Sequence, residues 1–517
     1  MAQKPSSSTF PLLSALLWIL LVLWPAAALA GAGPKSTKPG DPYLSVPLEK
    51  LGFDAIPPRL LVGGATMFTL HFVDNTHLLV TFNSHGLIPR IHDSVSQEND
   101  RLITALLVEL PTGNIVGRTT WHTRDRDQYL WPLSHGMFLL RIQTRLTVIA
   151  PVRNLAEGDA FREQSFLHME GPIGYISVSP GGDLLVVETV TPPHPESGQD
   201  ANPGAPQVLH LNTEPTVEIR LYRMLYQANG SEPPRLAVQA AGIVAARNLI
   251  RVPATSEGFL DMLKESNQTW LFDFQSHAGK RMELSAFDTT CTPSPFFTSR
   301  TEFVALGCRG NESHLMLSGF NLRGEQPWIQ VLSGQQIAPT MVTAPDAGRF
   351  AFSRILVSAT YYDIQNLTPE EVSGQEIQVI QHHDGRILLK MQASPIQLAG
   401  QNFDLSPDGL SFTVIRNGNV DIFHLPELSK KDAEQVRLAA EMVEKNDARI
   451  RLNPIRPAAA SKTTPPPTTA EPAMSINAPS HSPEGPPANA GDAKPAEDGP
   501  RAAPSLYGPD YPKNPKE

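Results

Sequence analysis

Leu405-Ser406-Pro407-Asp408-Gly409, followed at once by Leu410-Ser411-Phe412-Thr413-Val414-Ile415, sets the architecture of this chain. The first five residues make a tight turn, with glycine supplied where a positive φ is needed. The next six approach the period-two alternation of a strand. The phrase returns as Val178-Ser179-Pro180-Gly181-Gly182-Asp183 before Leu184-Leu185-Val186-Val187. Fainter copies are Thr343-Ala344-Pro345-Asp346-Ala347-Gly348 before Arg349-Phe350-Ala351-Phe352, and Phe72-Val73-Asp74-Asn75-Thr76-His77 before Leu78-Leu79-Val80-Thr81-Phe82. A strand–turn–strand unit repeated at intervals is the mark of a radial β architecture.

Outward from these repeats, nearly every segment from Thr66 to Leu425 reads as a strand. Phe138 to Ile142 and Leu146 to Ile149 form a pair, and Trp270 to Phe274 and Glu302 to Leu306 read as inner strands of two further units. Turn anchors fall near Asp74, Ser134, Pro180, Ser266, Ser299, Asp346 and Asp408. The expected fold is therefore all-β, a β-propeller over 61–427 with seven blades, six being the alternative. A two-sheet sandwich rarely sustains strands over so long a stretch. The last unit is short of a strand, and Leu60 to Val62 is the expected contributor, which would close the ring and remove an exposed edge. Residues 31–60 read as a leader or strap. Ser429 with Asp432 opens a capped helix over 428–452, in which Ala433, Val436, Ala440 and Val443 share a face. The stretch 453–517 is rich in Pro, Ala and Ser and reads as a disordered tail.

The chain has 517 residues, 41% hydrophobic and 18% charged, with a net charge of −10. That acidity, without any basic run, argues against a nucleic-acid surface. Residues 1–30 read as an export signal: Lys4, an apolar run from Leu12 to Leu23, Pro25, and Ala28-Leu29-Ala30 as a small-x-small cleavage site ending at Ala30. The alternative is an uncleaved membrane anchor, Leu12 to Ala30, and membrane contact is expected only in that case. The expected location is periplasmic or extracellular. Cys291 and Cys308, the only cysteines, suit one disulfide in an oxidising compartment, with two buried thiols as the other reading.

Over Leu405 to Leu425 (LSPDGLSFTVIRNGNVDIFHL) the chain resembles the repeat unit of WD40-like and TolB-type bacterial propellers. In those families a Ser-Pro-Asp-Gly turn follows the first short strand and a Gly-Asn type turn leads to the next, a role Asn417-Gly418-Asn419 fills here. The resemblance implies a ring that binds proteins or small ligands on one face. Some families of this shape are hydrolases, lyases or quinoproteins, so the fold alone licenses no activity.

Motifs for a serine hydrolase elbow, a zincin, a P-loop and an EF-hand are all missing. No cofactor, metal or catalytic residue is assigned. The densest polar-aromatic stretch runs from Trp121 to Trp131 with His135 behind it. Trp121 and Trp131 could form a stacking wall, with His122, Asp125, Arg126, Asp127 and His135 as ligands or acid–base groups. The plainer reading is a solvated loop whose tryptophans pack between blades. His382-His383-Asp384 carries metal-ligand residue types, but Asp384-Gly385 reads better as a hairpin turn. The expected function is an exported, monomeric, non-enzymatic scaffold for an unknown protein or small-molecule ligand. The alternative is a propeller enzyme acting on carbohydrate or peptide at the central channel.

Overall fold

Seven four-stranded antiparallel sheets stand around a ring in the computed structural model of the chain, making a seven-bladed β-propeller. It describes residues 40–53, 61–62, 68–83, 101–123, 128–142, 144–149, 163–192, 215–227, 233–246, 248–310, 315–358, 370–397 and 401–452. The export signal with Ala30 and the tail over 453–517 lie outside the described residues. Six blades span 68–123, 130–168, 173–245, 254–288, 294–332 and 335–393, each with its strands paired in chain order. The first strand of each is innermost, as the side-by-side packing of Phe68–Asp74 and Phe403–Leu405 shows. Side chains from neighbouring sheets interdigitate into apolar clusters between blades, such as Phe272, Phe287, Phe303 and Phe320 between the fourth and fifth. No helix among the described residues is long and apolar enough to cross a membrane.

The seventh blade takes three strands from 403–424 and its fourth from Leu44–Pro47, which pairs antiparallel with Asn419–Ile422. The closing strand therefore comes from the segment read as a leader. Leu61–Val62 instead pairs in parallel with Ile396–Gln397. Leu44–Pro47 is too short to show periodicity, which is why its pairing is invisible in sequence. Val46, Leu48, Leu51 and Phe53 then pack with Phe68 and Ile422, so closure is also a burial event.

Six of the seven anchors mark the turn between a blade's first and second strands. Ser266 does not. It lies between Gly258–Lys264 and Thr269–Ser276, at the opposite end of the fourth blade. The true turn there is Ser256-Glu257, where Gly258 is needed because a Cβ would strike the Gln275 carbonyl. Trp270 to Phe274 and Glu302 to Leu306 are middle strands, not innermost ones; the innermost are Ala254–Thr255 and Ser294–Phe297. Middle strands are covered on both faces and so read most strongly as apolar runs. Gly409, Asn417 and Gly418 all have positive φ, as the two turns of the seventh blade require. Cys291 and Cys308 sit at disulfide distance, with Cα atoms 5.4 Å apart, tying the link into the fifth blade to its second strand.

Two buried titratable groups lie at the seam between the seventh and first blades. Asp404 Oδ2 accepts the Phe72 N–H at 2.7 Å. Burial pushes this carboxyl up to about 7, against the pull of the Phe72 and Leu405 N–H groups. His71 is 1% exposed, with Nδ1 3.1 Å from Gln401 Nε2, and burial lowers its pKa to about 3. Asp404 holds its proton more tightly folded than unfolded. Its stabilising contribution is full below the ordinary value of 3.8 and is lost as pH rises through about 7. His71 is the reverse: its contribution is present above 6.5 and lost as pH falls through about 3.

Between 3.8 and 6.5 the two slopes oppose each other. Asp404→Asn is expected to expose the His71 slope, so that the urea midpoint rises with pH across that window. His71→Gln is expected to expose the Asp404 slope, with the midpoint falling instead. Slopes of the same sign in both variants would contradict this assignment.

Candidate binding face

Strand direction alternates across each blade, so the turns between first and second strands all reach the same face of the ring, termed here the lower face. These turns are joined to one another around the mouth. Asp408 donates its backbone N–H to Asn75 Oδ1 at 3.2 Å, linking the seventh blade to the first. Gly136 leaves room for Val73, linking the first to the second. Ser134 Oγ donates to the Gly181 carbonyl at 2.8 Å, linking the second to the third. Arg300 in the fifth blade reaches back to pair with Asp183 in the third, while its carbonyl accepts from Thr255 Oγ1 of the fourth at 3.3 Å. Thr298 Oγ1 meets His382 Nδ1 of the sixth at 2.9 Å.

Arg349 completes the circuit. It is fully buried and donates to the Gly409 and Pro426 carbonyls, each at 2.6 Å, and to Gln381 Oε1 at 3.0 Å. One guanidinium thus joins the sixth blade's turn, the Ser-Pro-Asp-Gly turn of the seventh and the exit toward the helix. Burial lowers its pKa, while the Asp432 and Asp408 carboxylates oppose that shift.

Beside Arg349 an open cleft of about 550 Å³ is lined by Asn75, Asp346, Pro407, Asp408, Leu410, Glu427 and Leu428. Three carboxylates share this lining with the apolar side chains of Pro407, Leu410 and Leu428. Asp408 Oδ1 already accepts from Ser406 Oγ at 2.6 Å and Leu410 N at 2.9 Å, so the turn itself holds this side chain in place. Asp346 and Glu427 are exposed.

The helix Lys430–Leu452 leaves from the edge of this cleft and lies on the lower face. Ser429 and Asp432 form the reciprocal cap read from sequence, at 3.0 and 3.1 Å. Asp432 is 1% exposed and also takes Arg386 through both oxygens, at 2.9 and 3.1 Å. Burial raises its pKa, but Ser429 and Arg386 outweigh burial and hold the carboxyl below its usual range. Val436 meets Gly348, and Met442 packs on the Phe272–Phe320 cluster. The docked side is thus Asp432, Val436 and Met442, while Ala433 and Ala440 face out. His383, Asp384 and Asp432 offer metal-ligand atoms within 4.8 Å of one another. Arg386 already pairs with both of these carboxylates, so the set works as an ionic latch on the helix. Asp384-Gly385 is the turn expected, with φ 68° at Gly385.

Of the candidate binding residues singled out in sequence, only Trp121, Trp131 and His135 have described side chains, and none of these three lines the cleft. Trp121 is 1% exposed in the core between the first and second blades, and Trp131 is 7% exposed in the core between the second and third. His122 is the penultimate residue of the strand Asn114–Thr123, and Asp125, Arg126 and Asp127 lie outside the described residues. His135 is exposed on the lower-face turn of the second blade, 5.3 Å from the Tyr226 ring. Asn75, Asp346 and Asp408 were visible as turn residues, but nothing in the sequence brings them together.

No protein family and no curated protein matches this sequence. Solved structures similar to the chain include an acylaminoacyl peptidase of Pyrococcus horikoshii, at 10% identity and TM-score 0.40. That match covers 70% of this chain and 52% of the peptidase, so the chain spans about half that enzyme's length. A protein assigned as TolB from Agrobacterium tumefaciens is similar at 12% identity and TM-score 0.31, covering 61% of this chain and 94% of the other. The C-terminal WD40 domain of Sif2 is similar at 8% identity and TM-score 0.29, covering 76% and 99%.

Arg386→Ala leaves the buried Asp432 with its Ser429 cap and with His383, whose Nδ1 lies 3.4 Å away. It is expected to weaken helix docking by about 1–2 kcal/mol, close to tenfold in the opening equilibrium. Hydrogen exchange should quicken over 430–442 while the blades keep their protection.

Proposed function

We propose that the chain is an exported, non-enzymatic binding scaffold that receives a cationic segment of a protein partner on its lower face. The observation that carries this reading is the cleft of Asp346, Asp408 and Glu427 with Pro407, Leu410 and Leu428. Carboxylates attract Lys and Arg, and apolar side chains beside them receive their methylene stems. The inter-blade circuit supports the reading because a face held by linked turns loses little entropy when a ligand docks. Export rests on the signal-like residues 1–30 and on the disulfide-distance pair Cys291 and Cys308.

Fluorescence anisotropy with a Lys/Arg-rich peptide and a Glu-rich peptide of the same length tests the reading. The cationic peptide is expected to bind with an affinity that falls as salt rises. Replacing Asp346 and Glu427 together by Lys should weaken it by roughly tenfold or more, about 1.4 kcal/mol. Equal binding of both peptides, or an unchanged affinity in the double variant, would overturn the assignment of this cleft.

A further inference from the structure

An outer strand exposes backbone N–H and C=O groups on its far side, and proteins normally blunt such edges with charge, proline or brevity. Six outer strands of this ring follow that rule. Asn114–Thr123 carries Arg118, Glu163–His168 carries Glu163, and Arg281–Asp288 carries Arg281, Glu283 and Asp288. Arg386–Ala393 carries Arg386 and Lys390, Trp328–Leu332 is five residues long, and Leu44–Pro47 is four residues long and ends in proline.

Arg235–Ala245 of the third blade breaks the rule. It is eleven residues long, and from Leu236 to Ala245 it has neither charge nor proline. Val238 is 67% exposed, Ile243 72% and Val244 41%. Its one irregularity adds to the apolar character of the edge. Leu221 pairs with Ala240 and Tyr222 with Val238, so Gln239 is an extra residue. That bulge resets the alternation and puts Val238 on the same side of the sheet as Ile243.

We infer that this edge pairs antiparallel with the same edge of a second copy of the chain. The strand suits itself as a partner. With Gln239 bulged out, a two-fold axis at Ala241 sets Ala240 opposite Gly242 at the centre and brings Val238 of each copy beside Ile243 of the other. No charge falls within the paired stretch, so self-pairing meets no like-charge repulsion there, and the backbone groups on its far side, which pair with no strand among the described residues, supply the hydrogen bonds. This surface lies on the outer wall of the ring and is independent of the acidic cleft.

Sedimentation velocity of the full chain over a range of concentrations tests the inference. A species of twice the chain mass should form as concentration rises. Ile243→Lys and Val238→Lys, both at exposed positions, should each raise the dimer dissociation constant at least tenfold while leaving unchanged the melting temperature measured in dilute solution, where the wild type is a single chain. A single-chain mass at every concentration would overturn the inference. So would a wild-type-like dimer in both variants, because the contact would then lie elsewhere.

Discussion

The antiparallel pairing of Leu44–Pro47 with Asn419–Ile422 is the contact on which the rest of the ring depends. A blade buries its faces only against neighbours on both sides, so an open array would leave two sheets half-covered. Pairing the two ends of the fold converts that array into a closed circle. Ser45 Oγ donates to Asp421 Oδ1 at 2.7 Å across the junction, and Tyr43 stacks on His424 with centroids 3.8 Å apart. Because the partners are some 370 residues apart in sequence, closure carries a loop-entropy cost, which the burial of Val46, Leu48, Leu51 and Phe53 offsets.

The short turn that defines each repeat also builds the lower face. Its glycine lets the chain reverse, and the residues around it are free to reach the next blade. Asp408 holds its own turn through Ser406 and Leu410 and then meets Asn75 of the first blade. Arg349 does the equivalent from below, with its three acceptors in the sixth blade, the seventh blade and the exit segment. A guanidinium suits this position because its planar fork satisfies several carbonyls at once. Acidic side chains are thereby held on a linked framework, where mutual repulsion cannot simply splay them apart.

Polar groups inside the fold fall into two kinds. Asp404, Arg349 and Arg354 are hydrogen-bonded, Arg354 pairing with Glu376 at 2.7 Å inside the sixth blade. His71 Nε2 has no hydrogen-bond partner among the described residues, and its burial keeps the imidazole neutral. The first kind fixes register and joins blades. The second costs stability as pH falls, and it sits at the same seam where Asp404 acts in the opposite sense.

The propeller class, the seven units, the capped helix and the cysteine pair were legible in the chain itself. Each is written in local chemistry: Ser406-Pro407-Asp408-Gly409 for a turn, Ser429 and Asp432 for a cap, alternating residues for strands. The fourth-blade turn was misplaced because Ser266-Asn267 has turn chemistry at the other end of that blade, while Ser256-Glu257 has little. The strand that closes the ring, the Arg349 junction, the Arg386–Asp432 latch and the cleft at Asp346, Asp408 and Glu427 were decided only by tertiary structure. Local propensity acts over a few residues, whereas these contacts join groups tens to hundreds of residues apart. Two turns that look alike in sequence become neighbours only after the ring has closed.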